Sequence, residues 1–188
     1  TDAHGCERTT TDTVCIPAGF AADFTYSQTC IGQTTQFHDT LLSPQGDTII
    51  AWLWDFGEPE SGINNTSTLP DPVHTYLSPG SFTVSLQATD KNGCQYTAYN
   101  QVTVSTLPIP DFSYDSYICD SMIYFTDLST GNGQAISYWV WHYGDGSPAD
   151  TIFAPGNPNI SHNYATPGFY TVLLEVVNAP GCSDTISK

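Results

Sequence analysis

A period of 88 residues constrains the fold of this chain more than any other feature of its sequence. The stretch PVHTYLSPGSFTVSLQATDKNGC, at 72–94, aligns with NISHNYATPGFYTVLLEVVNAPGC, at 159–182. The aligned residues 88 positions apart include His74 and His162, Tyr76 and Tyr164, Gly80 and Gly168, and Cys94 and Cys182. Such a period predicts successive copies of one structural unit.

The repeat register also predicts where the copies begin and end. TDAHGCERTT, at Thr1, aligns with TDKNGCQYTA, at Thr89, so we expect residues 1–16 to be the tail strand of a preceding repeat. The first full copy is then 17–106. The second is 107–188, with a shortened last strand because Lys188 corresponds to Asn100. We interpret the chain as a segment of a longer array.

Each copy has the pattern of a β protein. The segments FTVSLQA, at 82–88, and YTVLLEVV, at 170–177, alternate around large apolar and β-branched residues, as half-buried strands do. The segments 49–56 and 136–143 each carry two tryptophans two residues apart, which places both on one strand face. Turn sequences such as SPG, TPG, KNG and APG separate these runs. About seven short strands per copy predict an all-β chain of tandem immunoglobulin-like sandwiches.

The motifs resemble those of the PKD (polycystic kidney disease) domain, whose consensus runs W-D-F-G-D-G, then H-x-Y, then G-x-Y-x-V-x-L. WLWDFGEP and WVWHYGDGSP, followed by VHTYLSPGSFTVSL and SHNYATPGFYTVLL, carry the resemblance. Copy one departs at Glu58-Pro59 and copy two at His142. The resemblance implies a non-catalytic sandwich. The cysteine arrangement is similar to that of repeats in secreted or cell-surface adhesins of gliding, type IX-secreting bacteria.

The motif residues have expected structural roles. We expect the tryptophans to pack in the core rather than stack on sugars, the histidines to hold a turn through backbone hydrogen bonds, and the tyrosines to bond backbone at a strand corner. The motif residues are Trp54, Trp141, His74, His162, Tyr76, Tyr164, Gly80, Gly168, Gly144, Asp145 and Gly146.

The sequence YGDGS, at 143–147, has two interpretations. We interpret it as a tight turn whose glycines allow positive φ and whose aspartate bonds nearby N–H groups. A calcium loop is the alternative. Calcium takes six to eight oxygens, and copy one lacks the aspartate, so we expect no cofactor and keep calcium as the minority interpretation.

Six cysteines at matched spacings indicate an oxidising compartment. Cys30 and Cys94 are 64 residues apart, and Cys119 and Cys182 are 63 apart. Because the spacing repeats, we predict one disulfide inside each copy. Cys6 and Cys15 form the default third pair if the chain begins at residue 1. None of the cysteines forms a C-x-x-C pair, so zinc is disfavoured.

A short acidic triplet recurs along the chain. Asp followed by Ser or Thr and an apolar residue occurs six times. The triplet resembles an O-glycosylation signal of the same bacterial group, and the alternative is that it only marks entry into a strand. The hydroxyl residues are Thr13, Thr40, Thr48, Ser121, Thr151 and Thr185.

Charge and architecture together predict the function. A net charge of −16 disfavours nucleic acid, and no run is long and apolar enough for a membrane helix. No nucleophile–base set is evident, so we expect no enzyme. We predict an extracellular or cell-surface segment of an adhesin or filament, a stiff disulfide-stapled spacer that contacts neighbouring repeats and surface glycans or proteins.

Two alternatives stay open. In the first, the chain is an accessory substrate-binding module of a secreted hydrolase, and an exposed aromatic strip on one sheet would favour this. In the second, the chain is a fibre subunit that assembles by strand addition. In the second case the head ERTTTDTVCI, at 7–16, completes the shortened last strand of another copy.

Overall fold

The computed structural model describes residues 23–40, 48–116 and 121–188. Contacts between Cα atoms divide the chain into two compact units. The first contains the described residues of Thr1–Ser27, Gln36–His74 and Phe82–Val102. The second contains Gln28–Thr35, Thr75–Ser81 and Thr103–Lys188. The second unit therefore includes Gln28–Thr35, Thr75–Ser81 and the end of copy one from Thr103, all of which belong by sequence to copy one.

The first copy forms two antiparallel sheets from seven strands. The strands are β1 (Phe24–Tyr26), β2 (Thr34–Asp39), β3 (Ile49–Asp55), β4 (Thr66–Ser67), β5 (Val73–Thr75), β6 (Gly80–Asp90) and β7 (Gln95–Val104). One sheet has the order β1-β2-β5 and the other the order β4-β3-β6-β7. In the second sheet Trp54 of β3 lies opposite Leu86 of β6.

The second copy repeats this topology. Its strands are β8 (Phe112–Ser116), β9 (Met122–Asp127), β10 (Ile136–His142), β11 (Asp150–Phe153), β12 (Ile160–Asn163), β13 (Leu173–Asn178) and β14 (Ser183–Ser187). The sheets run β12-β9-β8 and β11-β10-β13-β14, strand for strand the order of the first copy. Trp141 lies opposite Leu174, as Trp54 lies opposite Leu86.

The predicted fold class is confirmed: the chain is all-β and forms two seven-stranded immunoglobulin-like sandwiches. One element was not predicted, a 3-10 helix at Pro59–Asn65 between β3 and β4. It begins where copy one departs from the consensus, since Pro59 takes the first helical position and its fixed φ suits that position. Across the described residues, no helix has the length and apolar character needed to cross a membrane.

Aromatic residues form the centre of each core. In the first unit the rings of Phe24 and Phe37 lie 5.1 Å and 5.7 Å from the Trp54 ring, centroid to centroid. In the second unit Phe112 and Phe125 repeat this arrangement around Trp141, at 5.2 Å and 5.6 Å. Each large buried side chain stabilises the fold by roughly 1.5–3 kcal/mol through the hydrophobic effect.

Candidate functional site

The turn that follows strand β10 is held by Asp145. Its Oδ1 accepts hydrogen bonds from the Ser147 N–H at 3.0 Å and the Ser147 hydroxyl at 2.6 Å. Its Oδ2 lies 2.8 Å from Nε2 of His162. The His162 ring stacks on Tyr143, with ring centroids 3.8 Å apart. The carboxylate thus ties the turn to strand β12.

These contacts shift the pKa values of the turn. Hydrogen bonds from the Ser147 hydroxyl, from His162 and from the Ser147 backbone lower the pKa of Asp145 below its usual range. Burial, aided by the Asp150 carboxylate that accepts its hydroxyl at 2.7 Å, raises the pKa of Tyr143. Asp145 therefore stays ionised and Tyr143 stays neutral at physiological pH.

Copy one has a buried equivalent of this pair. Nε2 of His74 lies 3.1 Å from Oε2 of Glu58, and the two side chains are 2% and 3% exposed. The His74 ring stacks on Phe56 at 4.4 Å. Glu58 therefore takes the place of Asp145, and its longer side chain still reaches the histidine.

The histidines make a contact that was not predicted. In both copies Nε2 lies against a carboxylate side chain, and the expected backbone hydrogen bonds stay a prediction. The sequence did contain a signal for this contact, because Glu58 and Asp145 are 87 residues apart and the two histidines are 88 apart. Glu58 was instead interpreted as a departure from the consensus. The Tyr164 hydroxyl does donate to a backbone carbonyl, that of Tyr143, at 3.0 Å.

Both oxygens of Asp145 are engaged by protein groups. Within residues 23–40, 48–116 and 121–188, no group of three or more His, Cys, Asp or Glu side chains is arranged to hold a metal ion. Calcium at this turn stays a hypothesis from the sequence.

The cysteines are paired differently from the prediction. Cys30 is bonded to Cys182, with Cα atoms 5.8 Å apart and a sequence separation of 152 residues. Cys94 is also disulfide-bonded. The predicted pairs Cys30–Cys94 and Cys119–Cys182 are therefore wrong. Both cysteines of the observed bond lie in the second unit, although Cys30 belongs by sequence to copy one.

The length of strand β7 explains the correction. Cys94 precedes this strand, whereas Cys30 forms a β-bridge with Ser105, which follows it. Ten residues of extended chain span roughly 33 Å, and a disulfide needs Cα atoms within about 7 Å. A repeated spacing cannot distinguish a bond inside a copy from a bond between successive copies, because both recur with the same period.

Polar side chains surround the observed disulfide. The Gln28 amide donates to the Pro180 carbonyl at 2.7 Å, next to the cysteine turn. The buried Asn178 accepts the Cys182 N–H at 2.9 Å and donates its own amide to the Thr106 carbonyl at 2.8 Å. Ser105 exchanges backbone hydrogen bonds with Thr29 and Ile31. The disulfide is therefore one member of a network that includes the chain between the two copies.

Asn178 was not predicted to belong to this site. Its counterpart 88 residues earlier is Asp90, which accepts the Cys94 N–H at 2.9 Å in the same way. Aspartate cannot donate, and the other Asp90 oxygen accepts the Tyr96 hydroxyl. The replacement of Asp90 by Asn178 at the same position of the repeat was the sequence signal that could have identified this residue.

The remaining candidate residues take the following places. Trp54 and Trp141 are fully buried, and their indole N–H groups donate to the carbonyls of Leu69 and Pro158. Tyr76 is fully buried, Gly80 begins β6, and Gly168 precedes β13. Five of the six triplet hydroxyl residues are exposed: Thr40, Thr48, Ser121, Thr151 and Thr185. The others lie outside the described residues: Cys6, Thr13, Cys15 and Cys119.

The repeated sandwich, with its tryptophan centre and acid–histidine turn, defines a tandem immunoglobulin-like module. The family model described as PKD domain matches residues 20–104 and again 105–188, so the chain belongs to the PKD domain family. The predicted boundaries at 16 and 106 stay predictions.

Two bacterial collagenases are similar to this chain. Collagenase ColA of Bacillus cereus is 29% identical over 102 residues, which cover 54% of the chain and 10% of that protein. A microbial collagenase of Vibrio alginolyticus is 28% identical over 164 residues, which cover 84% of the chain and 19% of that protein. The chain thus spans a fifth or less of each of these relatives.

A solved structure supports the fold alone. The fibronectin(III)-like modules of Clostridium thermocellum CbhA superpose with a TM-score of 0.51 at 14% identity. The match covers 88% of this chain and 91% of that one.

Proposed function

We propose that this chain is a non-catalytic extracellular spacer, a segment of a cell-surface adhesin or filament in which disulfides staple successive repeats. The observation that carries the proposal is the Cys30–Cys182 bond, which joins a cysteine of copy one to a cysteine of copy two. A disulfide also supports an oxidising, extracytoplasmic location. Origin in a gliding, type IX-secreting bacterium and O-glycosylation at the exposed triplets belong to this proposal.

The bond gives the spacer a specific mechanical property. A chain pulled from its ends transmits force through Cys30 and Cys182, so the 152-residue interval between them cannot be extended while the bond is intact. A repeat that loses its fold under tension therefore lengthens the array very little. An array joined in this way keeps nearly the same end-to-end length even where single sandwiches unfold.

Single-molecule force spectroscopy tests the proposal. The chain is held by its termini, and the wild type is compared with the Cys30→Ser/Cys182→Ser variant. Unfolding of the variant should release a longer contour length than unfolding of the wild type, because the Cys30–Cys182 bond no longer closes the interval between these residues. Equal extension of the two proteins would contradict the stapled-spacer proposal.

An accessory module of a secreted hydrolase is the second candidate. It is supported by the names of the two relatives, both collagenases, of which this chain matches a small part. The burial of Trp54 and Trp141 speaks against a sugar-stacking strip built from these rings. Co-sedimentation with insoluble collagen and with polysaccharides tests it, and retention by either material would favour the accessory module.

A further inference from the structure

A tight turn in copy two lies against the linker that joins the two copies. The linker is the segment 105–111, between the end of β7 and the start of β8. In the turn, at 131–134, the Gln134 N–H donates to the Gly131 carbonyl at 3.1 Å. Asn132 and Gly133 have φ of 51° and 88°. Because a type I′ turn requires positive φ at both central residues, these values identify the turn as type I′.

Asn132 holds the linker at two points. Its Nδ2 donates to the Leu107 carbonyl at 3.0 Å, and its own carbonyl accepts the Thr106 hydroxyl at 2.7 Å. Beside these contacts, Ile109 and Thr130 exchange two backbone hydrogen bonds of 2.8 Å and 3.0 Å. All of these residues belong to the second unit. The position of the linker in this unit therefore depends on one exposed asparagine and on the ladder next to it.

Gly133, which follows Asn132, leaves its backbone nitrogen open to reaction. Glycine has no side chain, and a Cβ at this position would meet open space. Within the described part of the chain, no group accepts a hydrogen bond from the Gly133 N–H. Asn132 is exposed, so water reaches its amide. An asparagine amide followed by an unhindered and unbonded backbone nitrogen is the arrangement in which these two groups react with each other.

We propose that Asn132 is a site of spontaneous deamidation, which converts it to aspartate or isoaspartate and releases the linker. The Gly133 nitrogen bonds to Cγ of Asn132, the Cγ–Nδ2 bond breaks, and Nδ2 leaves as ammonia with the proton of the Gly133 amide. Water then adds to one of the two carbonyl carbons of the cyclic imide and breaks the bond from that carbon to nitrogen. Water is the co-reactant, and nothing is oxidised or reduced.

Neither product can hold the linker as asparagine does. An ionised carboxylate has no N–H to donate, so its oxygen would face the Leu107 carbonyl without a proton between them. Isoaspartate also adds a methylene group to the backbone, which moves the carbonyl that accepts the Thr106 hydroxyl. Both products therefore lose the contact to Leu107, and isoaspartate disturbs the contact to Thr106 as well.

A second Asn-Gly pair, at 92–93, supplies an internal control. It lies in the turn between β6 and β7. Here the Gly93 N–H donates to the Asp90 carbonyl at 3.0 Å, and Oδ1 of Asp90 accepts the Asn92 N–H at 2.9 Å. The nitrogen that would attack is therefore engaged within the turn, whereas the Gly133 nitrogen is not. We expect Asn92 to react more slowly than Asn132 in the folded chain.

Peptide mapping after incubation of the folded chain at mildly alkaline pH tests the modification. After reduction, cleavage before aspartate places Asn92 in 90–110 and Asn132 in 127–144. An aspartate product adds a cleavage site to its fragment, so the shorter pieces are counted with it. Conversion of Asn132 should be roughly threefold faster or more, because the hydrogen bond of Gly93 must first break.

The same incubation in urea is the control for the turns. Both pairs should then react at similar rates, because neither turn is formed in the unfolded chain. An Asn132 that stays unmodified in the folded chain, or that reacts no faster there than Asn92, would overturn the proposal.

Hydrogen exchange tests the release of the linker. In the Asn132→Asp variant, the Ile109 N–H, which donates to Thr130 beside the lost contact, should exchange roughly two- to tenfold faster than in the wild type. The matched variant Asn92→Asp should leave this exchange unchanged. Unchanged exchange in Asn132→Asp, or equal acceleration in both variants, would contradict the proposal. The spacer function is tested separately, because the force-extension difference depends on the disulfide and not on this turn.

Discussion

At the scale of single residues, both copies keep an acid opposite a histidine while the surroundings differ. Glu58 and His74 are almost fully buried, whereas Asp145 and His162 are 17% and 16% exposed. In each copy an aromatic ring covers the histidine, Phe56 in one and Tyr143 in the other. The side chain that ties turn to strand therefore changes without loss of the contact.

The lowered pKa of Asp145 predicts an acid-dependent contribution to stability. Because the folded-state pKa lies below the unfolded-state value of about 4, the contribution is complete above the unfolded-state pKa and is lost as the pH falls from there through the folded-state pKa. Urea unfolding should show Asp145→Asn less stable than wild type at pH 6, with the difference shrinking towards pH 3. Asp115→Asn, at an exposed position of β8, is the control and should show no such trend. A difference that stays constant with pH would contradict the assignment.

Replacing Asn178 by aspartate should lower the stability of the folded chain. In Asn178→Asp the donor to the Thr106 carbonyl is lost, and a carboxylate oxygen faces that carbonyl instead. Because Asn178 is fully buried, we expect a loss of about 2–3 kcal/mol in the free energy of unfolding. Asn178→Ala separates loss of the hydrogen bonds from charge repulsion. An aspartate variant as stable as the wild type would contradict this role of Asn178, since Asp90 would then be a full equivalent.

At the scale of elements, the turn after each tryptophan strand contains a glycine that no other residue can replace without a clash, Gly57 in copy one and Gly144 in copy two. Gly57 and Gly144 have φ of 73° and 77°. A Cβ at Gly57 would lie 2.5 Å from the Thr83 carbonyl oxygen, and a Cβ at Gly144 would meet Thr171 in the same way. Gly146 also has positive φ, at 85°, but open space surrounds it.

This contrast predicts the outcome of two alanine substitutions. Gly146→Ala should lose about 1–2 kcal/mol of unfolding free energy, from the left-handed backbone alone. Gly144→Ala should lose about 1–3 kcal/mol more, because the backbone at Thr171 must also shift. Thermal unfolding followed by tryptophan fluorescence measures both. Equal losses in the two variants would show that the close approach to Thr171 does not limit the turn.

Much of the element scale could be predicted from sequence. The segments predicted as strands at 49–56 and 136–143 coincide with β3 and β10, since alternation and paired tryptophans reflect burial on one face. Strand β13 begins at Leu173, three residues later than the alternation from Tyr170 suggests. Alternation records which side chains suit a strand but not where its pairing begins, and the pairing of β13 with β14 begins at Leu173, opposite Ser187.

At the scale of the whole molecule, the period predicted the copies correctly and the covalent links wrongly. The cysteine positions recur with a period of about 88 residues. A disulfide inside each copy and a disulfide between successive copies therefore fit the spacing equally well. Only the three-dimensional positions of the strand ends decide. Cys30 bridges Ser105, at the far end of β7 from Cys94, and this placement could not be derived from spacing.

The disulfide predicts a large effect on stability. A bond that closes 152 residues should stabilise the folded chain by about 5 kcal/mol in the loop-entropy model. Urea unfolding of the Cys30→Ser/Cys182→Ser variant should show that loss. Reductant should destabilise the wild type more than the variant, because the wild type has the Cys30–Cys182 bond to lose and the variant does not. An equal response to reductant would indicate that Cys30 and Cys182 are not bonded in the folded protein.

A disulfide map of the unreduced protein decides whether Cys30 is bonded to Cys182. Trypsin is unsuitable because its sites at Arg8 and Lys91 leave Cys94 and Cys182 in one fragment. Cleavage before aspartate separates the cysteines, with Cys30 in 23–38, Cys94 in 90–110 and Cys182 in 150–183. Mass spectrometry should detect 23–38 linked to 150–183, and reduction should release both. Detection of 23–38 linked to 90–110 would contradict the staple between successive copies.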